Sequence, residues 1–441
     1  MSKTKKKRKI DIVWTKLNDK YNLLEVIKDK GYYIISAKQI REFHEARLAV
    51  KFDHSDARPD LFIENNLSIL PITRGDYKIS YIDAYHKFES TTSDITYFTP
   101  PEHIKSLDVT SINSETKALN MAYNSGIFAD FLEDEDLLPT VSGRMSSESF
   151  SFHANVVDKS KTAGDSVVIV ENSQLEIDGA FEGINSLAVM EAKLDLTDNF
   201  LIRQLYYPFR TWHKKMVGKP VRPVFLVYSN SIFYLYEYRF NDLQHYNSLE
   251  LVKHKRYCLE DTHISTEDVQ KVLRKIRFNK EPNIQFPQAN SFERVINICE
   301  LLYINDVEKN FITEEYSFDA RQSSYYLDAA MYLGLVEKSE IKDGHDFYTL
   351  TKIGKSLFYM SYKQRQLKLI EIILSYKSFN LVYKASCKAK ERLSDNDIVK
   401  LIKKAGVINP QTGTPYSDAT YKRRSGTVRA WIRWIEGLIA D

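Results

Sequence analysis

The amino-acid sequence predicts an α+β multidomain protein: a mixed central sheet flanked by helices, followed by mostly helical modules. Three observations carry this expectation. Residues 165–194 (DSVVIVENSQLEIDGAFEGINSLAVMEAKL) alternate apolar and polar side chains up to Asp178, turn through Gly179 and Gly183, and return as an apolar run into Glu191-Ala192-Lys193. Helix-periodic rows lie on either side, at 111–132 and 198–216. A Pro- and Asn-rich row, NKEPNIQFPQAN, then separates this region from a helical, basic C-terminal part. The expected segments are 1–110, 111–285, 286–362 and 363–441.

The chain has 441 residues and is 43% apolar, enough for two to four domains with real cores. No apolar run approaches the length of a membrane span, and no apolar secretion signal stands at the start, so a cytoplasmic protein is expected. Cys258, Cys299 and Cys387 are far apart and lack metal-ligand spacing; reduced, mostly buried thiols are expected, without redox chemistry. The net charge of +3 conceals an asymmetry: residues 361–441 hold 16 Lys and Arg against 7 Asp and Glu, so +9, leaving −6 for the rest. Such a local excess suits a polyanion, because Lys and Arg displace counterions from nucleic-acid phosphates. The run Lys3 to Lys9 reads as a solvated tail, with a DNA-touching arm as the alternative.

In chain order, residues 11–44 are expected to be mainly helical, with an extended piece at Tyr32-Tyr33-Ile34-Ile35. Residues 67–77 read as a strand broken by Pro71 and a Gly turn. A helix over 111–132 has Ala118, Leu119, Ala122 and Tyr123 on one face and Ser114 as cap. The acidic run 133–136 and the Ser-rich GRMSSESFSF read as loop. Residues 198–216 form a helix bent at Pro208, and 221–227 and 232–238 are two further strands. Past the boundary row come helices at 292–302, 313–318 and 320–333, and a strand pair with Asp343-Gly344 at its tip. Ser394 and Ser417 begin the last two helices. The final one buries Val428, Trp431, Ile432 and Ile435 and carries Lys422, Arg423, Arg424 and Arg429. Arg forks suit guanine edges, so this helix is a candidate DNA reader; a solvated basic face is the alternative.

Chemistry is expected at Asp178, Glu191 and Lys193. Alternation places Glu191 and Lys193 on one face of a strand, and a neighbouring strand brings Asp178 against them. Two carboxylates suit a hard cation such as Mg²⁺ and leave its other positions open to water and a phosphate oxygen. The Glu-x-Lys triplet alone is common, recurring at Glu115-Thr116-Lys117 and Glu340-Ile341-Lys342, but only at 191–193 does an apolar strand lead into it beside an Asp.

Residues 178–193 resemble the PD-(D/E)xK nuclease signature, with Ile177 where the name has Pro. ARLAVKFDH with NNLSILPITRGDY, and SDATYKRRSGTVRAWIRWI, resemble terminal regions of bacterial type II restriction endonucleases. RQSSYYLDAAMYLGLVE with YTLTKIGK resembles winged-helix modules. The resemblance implies a restriction-endonuclease-like core and Mg²⁺ held by Asp178, Glu191 and the Ala192 carbonyl. Lys193 would act on the attacking water, and the products would have 5′-phosphate and 3′-hydroxyl ends. It nominates Glu115 as a further acid, against a plain helix-start carboxylate, and Gln204, whose Gln-x-x-Tyr spacing departs from the related Gln-x-x-x-Tyr element. Arg74 and Lys78 are nominated as DNA contacts, and Arg321, Gln322 and Ser324 as major-groove readers. The partners implied are double-stranded DNA, a second copy of the chain, and a cognate DNA methyltransferase acting on the same sites in a bacterial cytoplasm. The competing readings are a structure-directed repair or mobile-element nuclease and a non-catalytic winged-helix regulator.

Overall fold

In the computed structural model the described residues are 8–89, 93–101, 103–108, 112–157, 166–259, 263–304, 307–308, 320–339, 347–389 and 391–439; the side chains of 304, 307–308 and 320–323 are not included. Two compact units result: residues 1–228 with 232–258, and 229–231 with 259–441. Residues 1–110, expected as a packing region with possible DNA contacts, belong to the same unit as the strands that carry Asp178 and Glu191.

The first unit begins with helices α1 (Lys9–Tyr21) and α2 (Leu23–Lys30), strand β1 (Tyr32–Ser36), and short helices α3 (Ala37–Arg41), α4 (Ala46–Ala49) and α5 (Asp60–Glu64). Strands β2 (Ser68–Pro71) and β3 (Asp76–Ser80) complete a small sheet in the order β1-β3-β2. Its core holds Trp14, Leu17, Ile35, Ile40, Phe62 and Ile79, and the Trp14 indole N–H donates to the Ala49 carbonyl at 2.9 Å. The expected helical start with one extended piece is what forms.

Next come β4 (Tyr85–Lys87), β5 (Ile95–Tyr97), α6 (Glu115–Asn124), α7 (Ile127–Leu132), β6 (Leu138–Ser146), β7 (Ser149–Ala154), β8 (Ser166–Glu171), β9 (Gln174–Glu182) and β10 (Leu187–Lys193). They are followed by β11 (Asn199–Leu201), α8 (Arg203–Lys215), β12 (Val221–Ser229), β13 (Ile232–Phe240) and β14 (Leu249–Cys258). Seven strands make one mixed sheet in the order β5-β14-β13-β12-β10-β9-β6. In it β10 runs parallel to β12 and antiparallel to β9. A strand flanked on both sides and covered on both faces must be apolar throughout, which is why Leu187-Ala188-Val189-Met190 shows no alternation.

Three expectations are corrected here. GRMSSESFSF is not loop: it forms much of β6 and β7, a pair of largely exposed strands whose polar side chains hide the strand period. Residues 165–194 give three strands rather than two, because Asn172, at φ 51°, breaks the row between β8 and β9, and β9 continues through Gly179 to Glu182. The 111–132 helix is two helices divided at Gly126, whose φ of 79° is cheapest for glycine. Strand β14 had no counterpart in the sequence reading.

The second unit is mostly helical, with helices Phe292–Ile304, Ala320–Tyr332, Tyr362–Leu374, Lys377–Ser386, Asp395–Lys404 and Asp418–Glu436. Strands Val336–Lys338 and Phe347–Leu350 pair antiparallel, and Val307–Glu308 joins Phe347–Leu350 on its other side. The proposed helix at 313–318 and the Asp343-Gly344 tip lie outside the described residues. Ser394 and Ser417 cap as expected, accepting from the N–H groups of Asp397 and Thr420. Helices Tyr362–Leu374 and Lys377–Ser386 were not foreseen. Cys258 and Cys299 are buried, whereas Cys387 is exposed, against the expectation of mostly buried thiols. No described helix is long and apolar enough to cross a membrane.

The turn joining β9 to β10 is held from outside. Both oxygens of the buried Asp134 carboxylate accept main-chain N–H groups, from Ile184 at 3.3 Å and Asn185 at 3.1 Å. A Cβ on Gly183 would lie 2.1 Å from Asp134 Oδ2. Gly183→Ala is therefore expected to expel this carboxylate and lower stability by about 1–3 kcal/mol, the cost of orphaning buried polar groups. Thermal denaturation checks it; an unchanged melting temperature would contradict the clamp.

Candidate active site

Asp178 owes its position to two ladders that end or slip at the same place. The β9–β10 pairing closes at Gly179 opposite Met190, and the β6–β9 register shifts between Val141 and Gly143, where β6 pairs with Ala180 and then Ile177. With its strand released there, Asp178 accepts the Ala192 N–H through Oδ2 at 2.8 Å. Glu191 and Lys193 follow on β10, opposite Phe225 and Val227 of β12.

Lys193 is the centre of the cluster. Its Nζ donates to Glu191 Oε1 at 2.6 Å, Ala192 O at 3.1 Å and Glu115 Oε1 at 3.2 Å. Glu115 stands at the first turn of α6, where the Ser114 hydroxyl accepts from Lys117 N. Gln204, near the start of α8, donates Nε2 to Glu191 Oε1 at 2.6 Å, while its own Oε1 is buried with no partner among the described residues. Both donors use the same Glu191 oxygen, so Oε2 remains for a ligand. The structure therefore brings Asp178, Glu191, Ala192, Lys193, Glu115 and Gln204 together, as the sequence reading had them.

Burial pushes the Glu191 carboxyl up to about 8, with the Lys193 charge opposing. Burial also acts on Lys193, but Glu191, Glu115, Asp53 and Asp178 outweigh it and hold the ammonium charged. Glu115 is raised by burial. Asp195, in the bend just past the end of β10, is pushed up to about 6, chiefly by burial. Sequence reasoning overlooked Asp195, which lies past the strand end, where alternation no longer applies. It also overlooked Asp53, whose charge reaches the cluster from more than a hundred residues upstream.

The cluster opens into a cleft of about 520 Å³ whose lining includes Asp178, Glu191, Lys193, Glu115, Asp53 and Gln204. Arg41, Arg47, Lys51, Arg74, Arg144 and Arg203 line it as well.

Three family models match the chain. Each describes a domain of unknown function: DUF6996 over residues 11–79, DUF6997 over 80–258 and DUF7226 over 294–440. No curated protein and no solved structure matches. Asp178, Glu191, Lys193, Glu115 and Gln204 all fall within the DUF6997 segment, whereas Asp53, Arg41 and Arg74 come from DUF6996.

The donor set fits a hard cation. Among the described residues no three His, Cys, Asp or Glu side chains are grouped to hold a metal by themselves. A cation here would take the Asp178 and Glu191 carboxylates with the Ala192 carbonyl, leaving positions for water and a substrate oxygen. The ammonium of Lys193, within hydrogen-bond reach of Glu191 Oε1 and Ala192 O, shows both oxygens already facing a positive charge.

Other nominated residues fare differently. Lys78 does not line the cleft: its Nζ donates to Ser166 Oγ and Val167 O and sits over the Tyr32 ring. Arg424 is buried, donates Nη2 to Gln285 Oε1 at 2.8 Å and stacks on Tyr416, so it is a packing residue and no free DNA contact. Arg429 is paired with Asp395 at 2.6 Å. Lys422 and Arg423 are exposed. Arg321 and Gln322 lie on helix Ala320–Tyr332 with side chains outside the described residues, and Ser324 is half-buried.

A carboxyl whose pKa is raised on folding binds more protons folded than unfolded between the two values, so stability falls as pH rises through that window. For Glu191 the window runs from about 4.5 to about 8. Metal-free protein is expected to lose stability as pH rises from 5 to 8. Glu191→Gln is expected to flatten that loss and to be more stable than wild type at pH 8. Denaturant unfolding in chelator across this range checks it, and parallel curves for the two proteins would contradict it.

Proposed function

We propose that the chain is a Mg²⁺-dependent endodeoxyribonuclease of the type II restriction kind, hydrolysing phosphodiester bonds of double-stranded DNA with a PD-(D/E)xK site. The observation that carries this reading is the convergence of Asp178, Glu191 and Lys193 at one strand end, inside a cleft whose walls include six further cationic side chains. Acidic centre and basic wall are what a negatively charged diester requires: carboxylates to hold a cation, and Arg and Lys to hold the phosphates on either side.

When bound, Mg²⁺ would polarise a phosphoryl oxygen and lower the pKa of a coordinated water. The protein's own groups do the rest. Asp178 is fixed by the Ala192 N–H and Glu191 by Gln204, so neither carboxylate has to reorganise as substrate arrives. Lys193 orients the attacking water and stabilises the charge gathering on the phosphoryl oxygens. As the water oxygen bonds to phosphorus, the bond to the 3′ oxygen breaks, the water proton passes to solvent and the 3′ oxygen is protonated. The products carry 5′-phosphate and 3′-hydroxyl ends.

The second unit supplies sequence reading in this account. A winged-helix role for it is supported by two helices and a three-stranded sheet among its described residues, and Lys422 and Arg423 stand exposed near the start of its last helix. Cutting both strands calls for a second active site, so two copies act on one duplex, and a cognate methyltransferase protects the host's own sites.

Incubation with long unmethylated duplex DNA and Mg²⁺ is expected to give discrete fragments. Chelator should abolish them, and Lys193→Ala should slow cleavage by about 10²–10⁴-fold, the usual worth of a positioned proton-transfer or charge-stabilising group. DNA left intact by the wild type on unmethylated, methylated and branched substrates alike would overturn the reading.

A further inference from the structure

The six outer cations of the cleft are not equivalent. Arg47 and Arg144 are both held by Glu176, at 3.1 and 3.4 Å, and Lys51 lies 4.0 Å from Asp53. Arg41, Arg74 and Arg203 have no ion pair among the described residues, although all three line the same cleft as Glu191 and Lys193. They come from separate parts of the chain. Arg41 ends α3, Arg74 lies in the turn between β2 and β3, and Arg203 opens α8 immediately before Gln204. Tyr77 of β3 also lines the cleft. Burial keeps its hydroxyl a neutral O–H donor against the charges of Arg203 and Arg41, with Glu45 and Asp76 acting in the same direction as burial.

Arg203 lies over the Tyr207 ring, 5.8 Å from its centroid, but guanidinium groups around one cavity with no carboxylate partner among the described residues still need a reason, since like charges repel. A phosphate supplies that reason: its oxygens accept the parallel N–H pairs of an arginine fork, and a phenol O–H adds a further donor. The carboxylate cluster is the place of the reacting phosphate in the proposed function. A second anion in the same cleft is then a neighbouring link of the same polymer.

We propose that Arg41, Arg74 and Arg203, with the Tyr77 hydroxyl, form a phosphate subsite that holds a backbone phosphate of the DNA strand adjacent to the one at Glu191 and Lys193. This rests on the nuclease reading. It adds that the 11–79 segment is a wall of the active cleft and not a separate reading module, so that substrate is gripped by two family segments at once.

The test is fluorescence anisotropy of a labelled 30-base-pair DNA duplex in chelator, where no cleavage occurs, across a range of salt concentrations. Arg41→Gln with Arg203→Gln is expected to weaken binding at least tenfold and to reduce the slope of log affinity against log salt by roughly one per arginine removed. Arg41→Lys should restore only part of the loss, because charge returns without the fork. Lys28→Gln, an exposed cation on α2 away from the cleft lining, is the control for net charge. Melting temperatures verify folding, and the exposed Arg41 gives a single variant that spares the core. If the arginine variants match Lys28→Gln in affinity and slope while the wild type still cuts DNA, the subsite is wrong and the nuclease reading survives. Selective loss of binding in a protein that never cuts DNA removes the nuclease reading and, with it, the subsite's place beside a reacting phosphate, leaving the three arginines as a DNA-phosphate contact only. A wild type that binds no DNA overturns the subsite outright.

Discussion

The Lys193 ammonium balances a set of acids that could not otherwise be buried together. Glu191 and Glu115 donate no hydrogen bond to it; they accept from it, and the charges of Asp178, Asp53 and Asp195 face the same region. Burial, with the repulsion of neighbouring carboxylates added to it, drives carboxyls towards the neutral form, the direction in which Glu191, Glu115 and Asp195 are displaced. One fixed cation lets the cluster exist, and a second, exchangeable one would complete it. The rest of the first unit can be understood as holding β9 and β10 so that this balance is kept: Asp134 ties their turn, and β12 lies alongside β10 through Val227.

That arrangement also explains how the site is divided between main chain and side chains. The Ala192 N–H points at Asp178 and its carbonyl at Lys193, so the residue between the two functional positions contributes only peptide groups. A small, fully buried side chain there leaves the strand free to be covered. Gln204 restrains Glu191 from α8, a helix that continues through Pro208 although proline removes an N–H from its ladder. Positioning comes from β10 and α8, whereas much of the cleft wall, including Arg41, Arg47, Lys51 and Arg74, comes from the first eighty residues.

What was legible in the sequence followed how local the signal was. Asp178, Glu191 and Lys193 lie within sixteen positions on paired strands, so alternation and two glycines were enough to bring them together. Glu115 was nominated only through the resemblance, since its place at a helix start reads equally as a plain solvated carboxylate. Arg41, Asp53, Tyr77 and Arg203 carry no mark of their own, and only folding sets them around one cavity. Strands β6 and β7 escaped notice because exposed strands need no apolar period. Arg424 misled for the opposite reason: beside Lys422 and Arg423 it looks like one charged patch, yet helical rotation turns it inward onto Tyr416. The four-part division of the chain was drawn from local patterns, which cannot register that residues 1–110 and the strands carrying Asp178 and Glu191 share one compact unit.

The central claim is that Asp178 and Glu191 together bind one divalent cation, and the most direct measurement is calorimetric titration of the protein with Ca²⁺ or Mn²⁺ at pH 7 in buffers of different ionisation enthalpy. The account predicts one cation per chain, taken up with release of a proton because the buried Glu191 carboxyl must ionise to bind it, and loss of that binding in Asp178→Asn. Absence of binding by the wild type, or equal binding by Asp178→Asn, would contradict it.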